Sequence, residues 1–456
     1  MTRDRMARWA LWLILAGALA ALLALNLPGH MTTDSVLALH EGRFGLTETW
    51  NPAIFGWLLG LSDRVIPGPA GVVVASGLML FGSLALLPVL RPRTSWLAPA
   101  MTLLAISLPQ LMIYPAIVWK DVLFADAVVC AFVILALSLP RHRGAGVAMG
   151  LALSAVLLAV AGLLRQNGLL FAIPAALAIA WSGWPRGPRS AMGVAAGWLA
   201  AMVLLTLVIS ATARPHGAGR PDDAGLRGLR ILMIYDIVGA AALEPDRPTP
   251  RIDAAAPAAG DYIRSSARRA YSAERVEALD RDTGFGRMAV RLRSDVLRAE
   301  WMDLVTRDTG LYLRTRLQAF WQVLATPNID HCLAVQVGLD GPAATLRSLG
   351  LKARRSAEDQ RLYNYVTWHL DTPSLSHLAY GLIAAVVAGL LLLRREPPDM
   401  VIAALLVGAL GFTASFFVLS LACDYRYLYV LDVAAIAGLI YWTLDPRLRR
   451  STSVVG

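Results

Sequence analysis

Four short stretches of this chain gather acids, cations and amides inside an otherwise apolar sequence. The first, HMTTDSVLALHEGRFGLTETWNP (residues 30–52), holds Asp34, His40, Glu41, Arg43, Trp50 and Asn51. The second, YPAIVWKDVLFAD (114–126), holds Lys120, Asp121 and Asp126. The third is RQNG (165–168), with Arg165 and Asn167, and the fourth CDYRYLY (423–429), with Asp424, Arg426 and Tyr427. Carboxylates of this kind can take a proton from a hydroxyl, and the cations can hold a phosphate or another anion.

Each stretch has a plain reading beside the chemical one. Thr32 or Thr33 can cap a helix that begins near Asp34. Asp34 and Glu41, seven residues apart, then share a face, separated by roughly 10 Å of rise. The positive end of the helix dipole favours an ionised Asp34, which suits a general base; equally, Asp34 can simply cap and solvate a loop helix. Lys120 can snorkel and Asp121 can cap the following helix. Asp126 lies deeper, where a carboxylate needs a partner, and Arg165 is a candidate. Arg165 is either an interface anchor or a phosphate ligand, since a guanidinium binds phosphate bidentately and stays charged in apolar surroundings. An aromatic belt accounts for the tyrosines around Arg426, but not for Asp424 and Arg426 together.

The elements that must position these groups are membrane helices. Of the 456 residues 57% are hydrophobic and 16% charged, against about a quarter charged in a soluble domain. Ten apolar runs, 9–27, 71–90, 96–113, 122–139, 145–164, 169–184, 190–211, 377–393, 400–421 and 427–443, read as spans of ~30 Å of hydrocarbon. The first reads as an uncleaved helix and not a leader. Alternate connectors (MTRDRMAR, RPRTS, RHRG, WPRGPRS, RREPPD, DPRLRR) are basic and should be cytoplasmic, which puts both termini inside and the four chemical stretches outside. The net charge of +10 is largely this asymmetry and does not point to nucleic acid. A crossing at PAIFGWLLGL (52–61) would invert every later connector, so this segment should be a short juxtamembrane helix on the outer face.

The fold class expected is therefore an all-α polytopic membrane protein with about ten spans, juxtamembrane helices in the first outer loop, and a small, mainly helical extracytoplasmic domain. The divisions are a seven-helix module at 1–211, the extracytoplasmic domain at 212–376, and three C-terminal spans with a short tail at 377–456. Within 212–376, LRGLRILMIYDIVGAAAL and GLYLRTRLQAFWQVLAT show helical periodicity with arginines on the opposite face, and EPDRPTPRIDAAAPAAGD reads as loop. Cys332 and Cys423 both fall outside, so a disulfide and two inert thiols are both open; Cys130 lies inside a run.

In this order of elements the chain resembles the GT-C class of polytopic glycosyltransferases, which includes the protein O-mannosyltransferases and the lipid A aminoarabinose transferases. TTDSV stands where the family's first acidic motif lies, and WNPAIFGWLLGL where its interfacial helix lies. WKDVLFA takes the place of the second acidic loop, LRQNGLL that of a basic third outer loop, and DYRYLY is similar to an Arg-Tyr ending of bacterial members. Two departures stand out: Asp34 is followed by Ser35 and not a second acid, and Asn51 replaces the basic residue before the proline.

The resemblance implies transfer of a sugar from a polyprenyl-phosphate donor to an acceptor hydroxyl at the outer face of a bacterial cytoplasmic membrane, with inversion. Asp34 is then the general base, and Asp121 a second catalytic group that positions the acceptor or orients Lys120. Lys120, Arg165, Asn167, Glu41, Asn51, Arg426 and Tyr427 bind substrate. No tightly bound cofactor is implied. A divalent ion held by Asp34, Asp121 and Asp126 stays open, as does a glycan, lipid or protein acceptor. Two other classes remain: a transporter or flippase for lipid-linked sugar, which more often carries inverted repeats, and a polysaccharide polymerase or O-antigen ligase, for which the long outer segment speaks. A purely structural protein would leave Lys120, Asp121, Asp126 and Arg165 without a use.

Overall fold

The computed structural model describes residues 2–47, 49, 51–139, 144–213, 223–279, 281–282, 284–285, 288 and 292–447. Trp50 and most of the RHRG connector lie outside them. The described chain is helical, with isolated bridges in place of strands, and it is an all-α polytopic membrane protein.

Among the described residues eight helices are long and apolar enough to cross a membrane. The first, α1 (Arg3–Asn26), buries only Ala7, Leu11, Leu15, Ala18, Leu22 and Asn26. That narrow stripe at spacings of three and four leaves its other faces for lipid. The connector after α1 forms two short helices, α2 (Thr33–Phe44) and α3 (Ala53–Val65). Next comes the second span, whose α-helical part is α4 (Ala70–Leu86). The helices α5 (Leu97–Ile106) and α6 (Pro109–Met112) lead to α7 (Lys120–Ser138), which is buried on nearly every side, and to α8 (Ala145–Leu164). Pro188–Thr212, His377–Arg394, Pro397–Leu419 and Tyr425–Leu444 complete the spanning set.

Two of the ten expected spans are corrected. The run 96–113 is broken, and its two halves meet at 76°. Pro109 offers no N–H and pushes Leu108 into extended geometry (φ −95°, ψ 144°). Counted as one, the bent pair gives nine spans. The run 169–184 forms a 3-10 segment (Gln166–Phe171) and a helix of 12 residues (Ala172–Gly183), about 18 Å long and too short to cross alone. Extended backbone at Arg165 (φ −138°) separates it from α8.

The chain groups into two compact units. One comprises Met1–Ala218, Val335–Thr413 and Leu428–Gly456, the other Gly219–Ala334 and Ala414–Tyr427. The interval 212–376 is thus divided between them.

In the second unit the helix Asp223–Leu243 packs Tyr235, Ile237 and Val238 against Ile252, Ile263, Leu297, Leu304 and Ala319. The stretch read as loop contains helices Pro250–Ala255 and Pro257–Ala270. Each has a proline at its start, where the missing N–H costs nothing. Arg316, expected on the outer face of its helix, is buried and paired with buried Asp236 at 2.8 Å. Trp301 Nε1 donates to Asp236 at 2.8 Å, and Arg316 donates to the Phe417 and Ser420 carbonyls. Periodicity places a residue on a face, but it does not reveal a buried partner for a charge. Cys332 and Cys423 form a disulfide, and Cys130 is a free thiol.

Candidate active site

The site is organised by two residues of extended backbone after α1. The His30 N–H donates to the Ala116 carbonyl at 2.9 Å, and Val118 N–H returns to the His30 carbonyl at 2.9 Å. On the other side Met31 N–H donates to the Gly338 carbonyl and Asp340 N–H to the Met31 carbonyl, both at 3.0 Å. Residues 30–31 therefore join the connector after α1, the connector before α7 and the 338–340 segment. The His30 ring is fully buried in this junction. Its Nδ1 accepts from Gly338 N–H at 3.0 Å, and its Nε2 lies 3.1 Å from Asn26 Oδ1. A neutral ring with its proton on Nε2 satisfies both contacts. Burial pushes His30 down to about 4; Asp359 raises it and Arg354 lowers it.

From this junction two helices start side by side. Thr32 is the N-cap of α2, and its hydroxyl sits 3.1 Å from Ser35 Oγ and not on a helix N–H. Ser35, buried, donates to the Val118 carbonyl. Asp34 is thus next in sequence to a residue that touches Val118, two positions before Lys120, the first residue of α7. Asp34 is exposed, Lys120 half-buried and Asp121 buried. Asp121 takes a hydrogen bond from Arg165 Nε. The side chains of that ion pair are 2% and 16% exposed. Gly168 lets this third loop approach α7 closely, because a Cβ there would lie 2.5 Å from the Phe124 ring. Asn167, half-buried, belongs to the same turn as Arg165.

The structure therefore joins Asp121 to Arg165, with Lys120 and Asn167 as chain neighbours of that pair, and links the start of α2, which carries Asp34, to the segment before α7 through Ser35. Asn51 joins the start of α2 from the loop side: its Nδ2 donates to the Asp34 carbonyl at 3.0 Å. Glu41 shares the helix face of Asp34 but is turned inward, and its carboxylate receives the Thr49 N–H at 2.6 Å and the Thr49 hydroxyl at 3.1 Å. The returning loop covers it. Arg43 pairs with Asp63 of α3 (Nε to Oδ2, 2.7 Å), which holds the Asp63 carboxyl below its usual range. Asp126 does not meet Arg165. It is fully buried and accepts a hydrogen bond from Ser76 of α4. Arg426 and Tyr427 belong to the second unit. There Arg426 lies 3.1 Å from Asp424 and 5.7 Å from the Tyr427 ring centre, and Tyr427 stacks on Phe416.

Sequence reasoning assigns no role to His30, Ser35 or the Arg354–Asp359 pair. A histidine four residues after Asn26, at the mouth of the first span, is the one signal that could have flagged the junction. Among the described residues no group of three His, Cys, Asp or Glu side chains is placed to hold a metal. Chemically the segments offer an exposed carboxylate at the start of α2, and a half-buried ammonium with a carboxylate–guanidinium pair at the start of α7.

No family model and no curated protein matches the chain. Among solved structures it is similar to the oligosaccharyltransferase AglB of Archaeoglobus fulgidus, in complex with an inhibitory peptide and a dolichol-phosphate (13% identity, TM-score 0.40, 95% of this chain and 50% of that one). It is also similar to ArnT from Cupriavidus metallidurans, bound to undecaprenyl phosphate (12% identity, TM-score 0.33, 94% and 77%). The chain spans about half the length of the archaeal protein. Both neighbours are GT-C glycosyltransferases.

Proposed function

We propose that this protein is a glycosyltransferase that moves a sugar from a polyprenyl-phosphate carrier to an acceptor hydroxyl. The observation that supports this reading is the contact of Ser35, next to exposed Asp34, with the Val118 carbonyl two positions before Lys120 and the Asp121–Arg165 pair.

Asp34 takes the hydroxyl proton as the acceptor oxygen attacks the anomeric carbon. As that bond forms, the bond from the anomeric carbon to the carrier phosphate breaks, and the electron pair leaves with the phosphate. A phosphate is a weak base and needs no general acid; cations at the developing charge suffice. Lys120 and Arg165 are those cations, and Asp121 fixes the guanidinium through its Nε. Asn51 holds the first turn of α2 through the Asp34 carbonyl. One base and one displacement leave the product inverted. No step is assigned to Arg426 and Tyr427, which belong to the other unit. The basic connectors support a site on the outer face of a bacterial cytoplasmic membrane, with both termini inside.

The test uses purified protein and a panel of polyprenyl-phosphate sugars, reading release of free lipid phosphate. Wild type should release it, and Asp34→Asn should bind donor while turning over about 10²- to 10⁴-fold more slowly. If neither protein releases phosphate and both move the lipid across a vesicle membrane, the protein is a flippase.

A further inference from the structure

The geometry points to a binding subsite for neutral sugar rings in the 335–363 segment, seating the part of an acceptor glycan that lies beyond the reacting hydroxyl. This rests on the proposed transfer reaction and names the acceptor class.

A cavity of about 410 Å³ opens there, lined by Gln336, Leu339, Asp340, Arg354, Arg355 and Tyr363 among others. Its size falls in the range of small-ligand sites, about 300–1,000 Å³. Pyranose rings present an apolar C–H face and a rim of hydroxyls. The half-buried Tyr363 ring supplies a surface for the first, with the Arg355 guanidinium 5.8 Å from its centre. Asp340, Gln336 and Arg355 supply acceptors and donors for the second.

The charges decide between a neutral and an acidic ligand. Arg354 is paired with Asp359 (Nε to Oδ2, 3.1 Å) and also donates to the Gly29 carbonyl at 3.0 Å. Ser356 N–H donates to the same Asp359 carboxylate at 2.8 Å. The remaining lining charges, Arg355 and Asp340, are opposite. A wall with no excess positive charge does not select phosphate or uronate; it suits hydroxyl groups.

The position ties the cavity to the reaction. Asp340 donates its N–H to the Met31 carbonyl, and Asp34 is three residues past Met31, at most about 11 Å along the backbone. The cavity wall thus lies within reach of the further residues of a glycan that reacts at Asp34. The wall is also preformed. Leu339 and Arg354 exchange both backbone hydrogen bonds at 2.8 and 3.0 Å. Gly338 sits at φ +79°, where a Cβ would come within 2.2 Å of the Arg354 carbonyl, so only glycine fits.

The experiment is saturation-transfer NMR on the purified full-length protein with linear neutral gluco-, manno- and galacto-trisaccharides, and with a uronate-terminated trisaccharide as comparison. Wild type and Asp34→Asn should bind at least one neutral trisaccharide. Tyr363→Ala and Asp340→Asn should each weaken it at least tenfold, and Tyr363→Phe should retain it. Asp340 is exposed, so its variant reads the site even if Tyr363→Ala does not fold. The subsite is overturned if no neutral trisaccharide binds wild type, if Asp340→Asn and a folded Tyr363→Ala bind as wild type does, or if the uronate binds tighter than its neutral counterpart. Lipid-phosphate release by wild type is measured separately. Its absence alongside intact trisaccharide binding would overturn the transfer reaction and leave the subsite standing.

Discussion

Asp121 and Arg165 show what a buried ion pair asks of its surroundings. Both side chains have left most of their water, and each answers part of the other's desolvation. Taking away one partner should therefore cost more than taking away both. We expect Arg165→Ala to lower stability by about 3 kcal/mol and the double variant Asp121→Asn/Arg165→Ala to recover a large part of it. Thermal unfolding of wild type, Arg165→Ala, Asp121→Asn and the double variant in one detergent checks this, and strict additivity would refute the coupling. If Arg165 also serves the leaving phosphate, the double variant regains stability without regaining lipid-phosphate release. The residue types of this site were legible in the sequence, because charges at the ends of apolar runs stand out. Their partners were not. Spacing along one chain does not say which helix lies across from Arg165, so the sequence suggests Asp126 and not Asp121 as its partner. Glu41 shows the same limit: its helical face was read correctly, and the loop that folds back over it was not visible.

The decisive element is small, the pair of extended residues His30 and Met31 between α1 and α2. It fixes where two helices start and so where Asp34 and Lys120 stand. Its weak point is the His30 ring, which accepts from Gly338 N–H in its neutral form only. The folded state holds His30 near 4, against 6.5 for a free histidine. The unfolded chain therefore binds the extra proton first as pH falls. The contribution to stability is complete above about pH 6.5 and is lost progressively down to about pH 4, on the order of 3 kcal/mol in all. Unfolding midpoints measured across that window should drop with acid in wild type. His30→Gln, which has no proton to gain, should start lower and show a flatter profile; parallel profiles would remove His30 as the cause. Helix existence at this scale was readable, α2 from its N-cap threonines and α3 and the spans from hydropathy. Helix continuity was not, since Pro109 and the Arg165–Gly168 turn break runs whose composition alone looks like a span.

At the scale of the whole molecule, the Cys332–Cys423 disulfide spans 91 positions of sequence and predicts an extracytoplasmic location for the second unit. Disulfides persist in oxidising compartments and not in the cytosol. The loop it closes contains two of the spanning helices, His377–Arg394 and Pro397–Leu419. Those helices stay formed when a membrane protein loses its tertiary structure, so the loop released by reduction is shorter than its residue count. The stabilisation should accordingly fall below the ~4.7 kcal/mol of a free 100-residue loop. Orientation gives the sharper test, because the basic connectors and the disulfide predict it independently. In intact spheroplasts, a membrane-impermeant maleimide should label Cys332 and Cys423 only after mild reduction, and should leave Cys130, inside α7, unlabelled. Labelling of the pair only after permeabilisation would place the second unit in the cytoplasm. The active-site helix starts are set by the same alternation of connectors, so that result would turn Asp34 and Lys120 inward as well and remove the outer-face reaction with them.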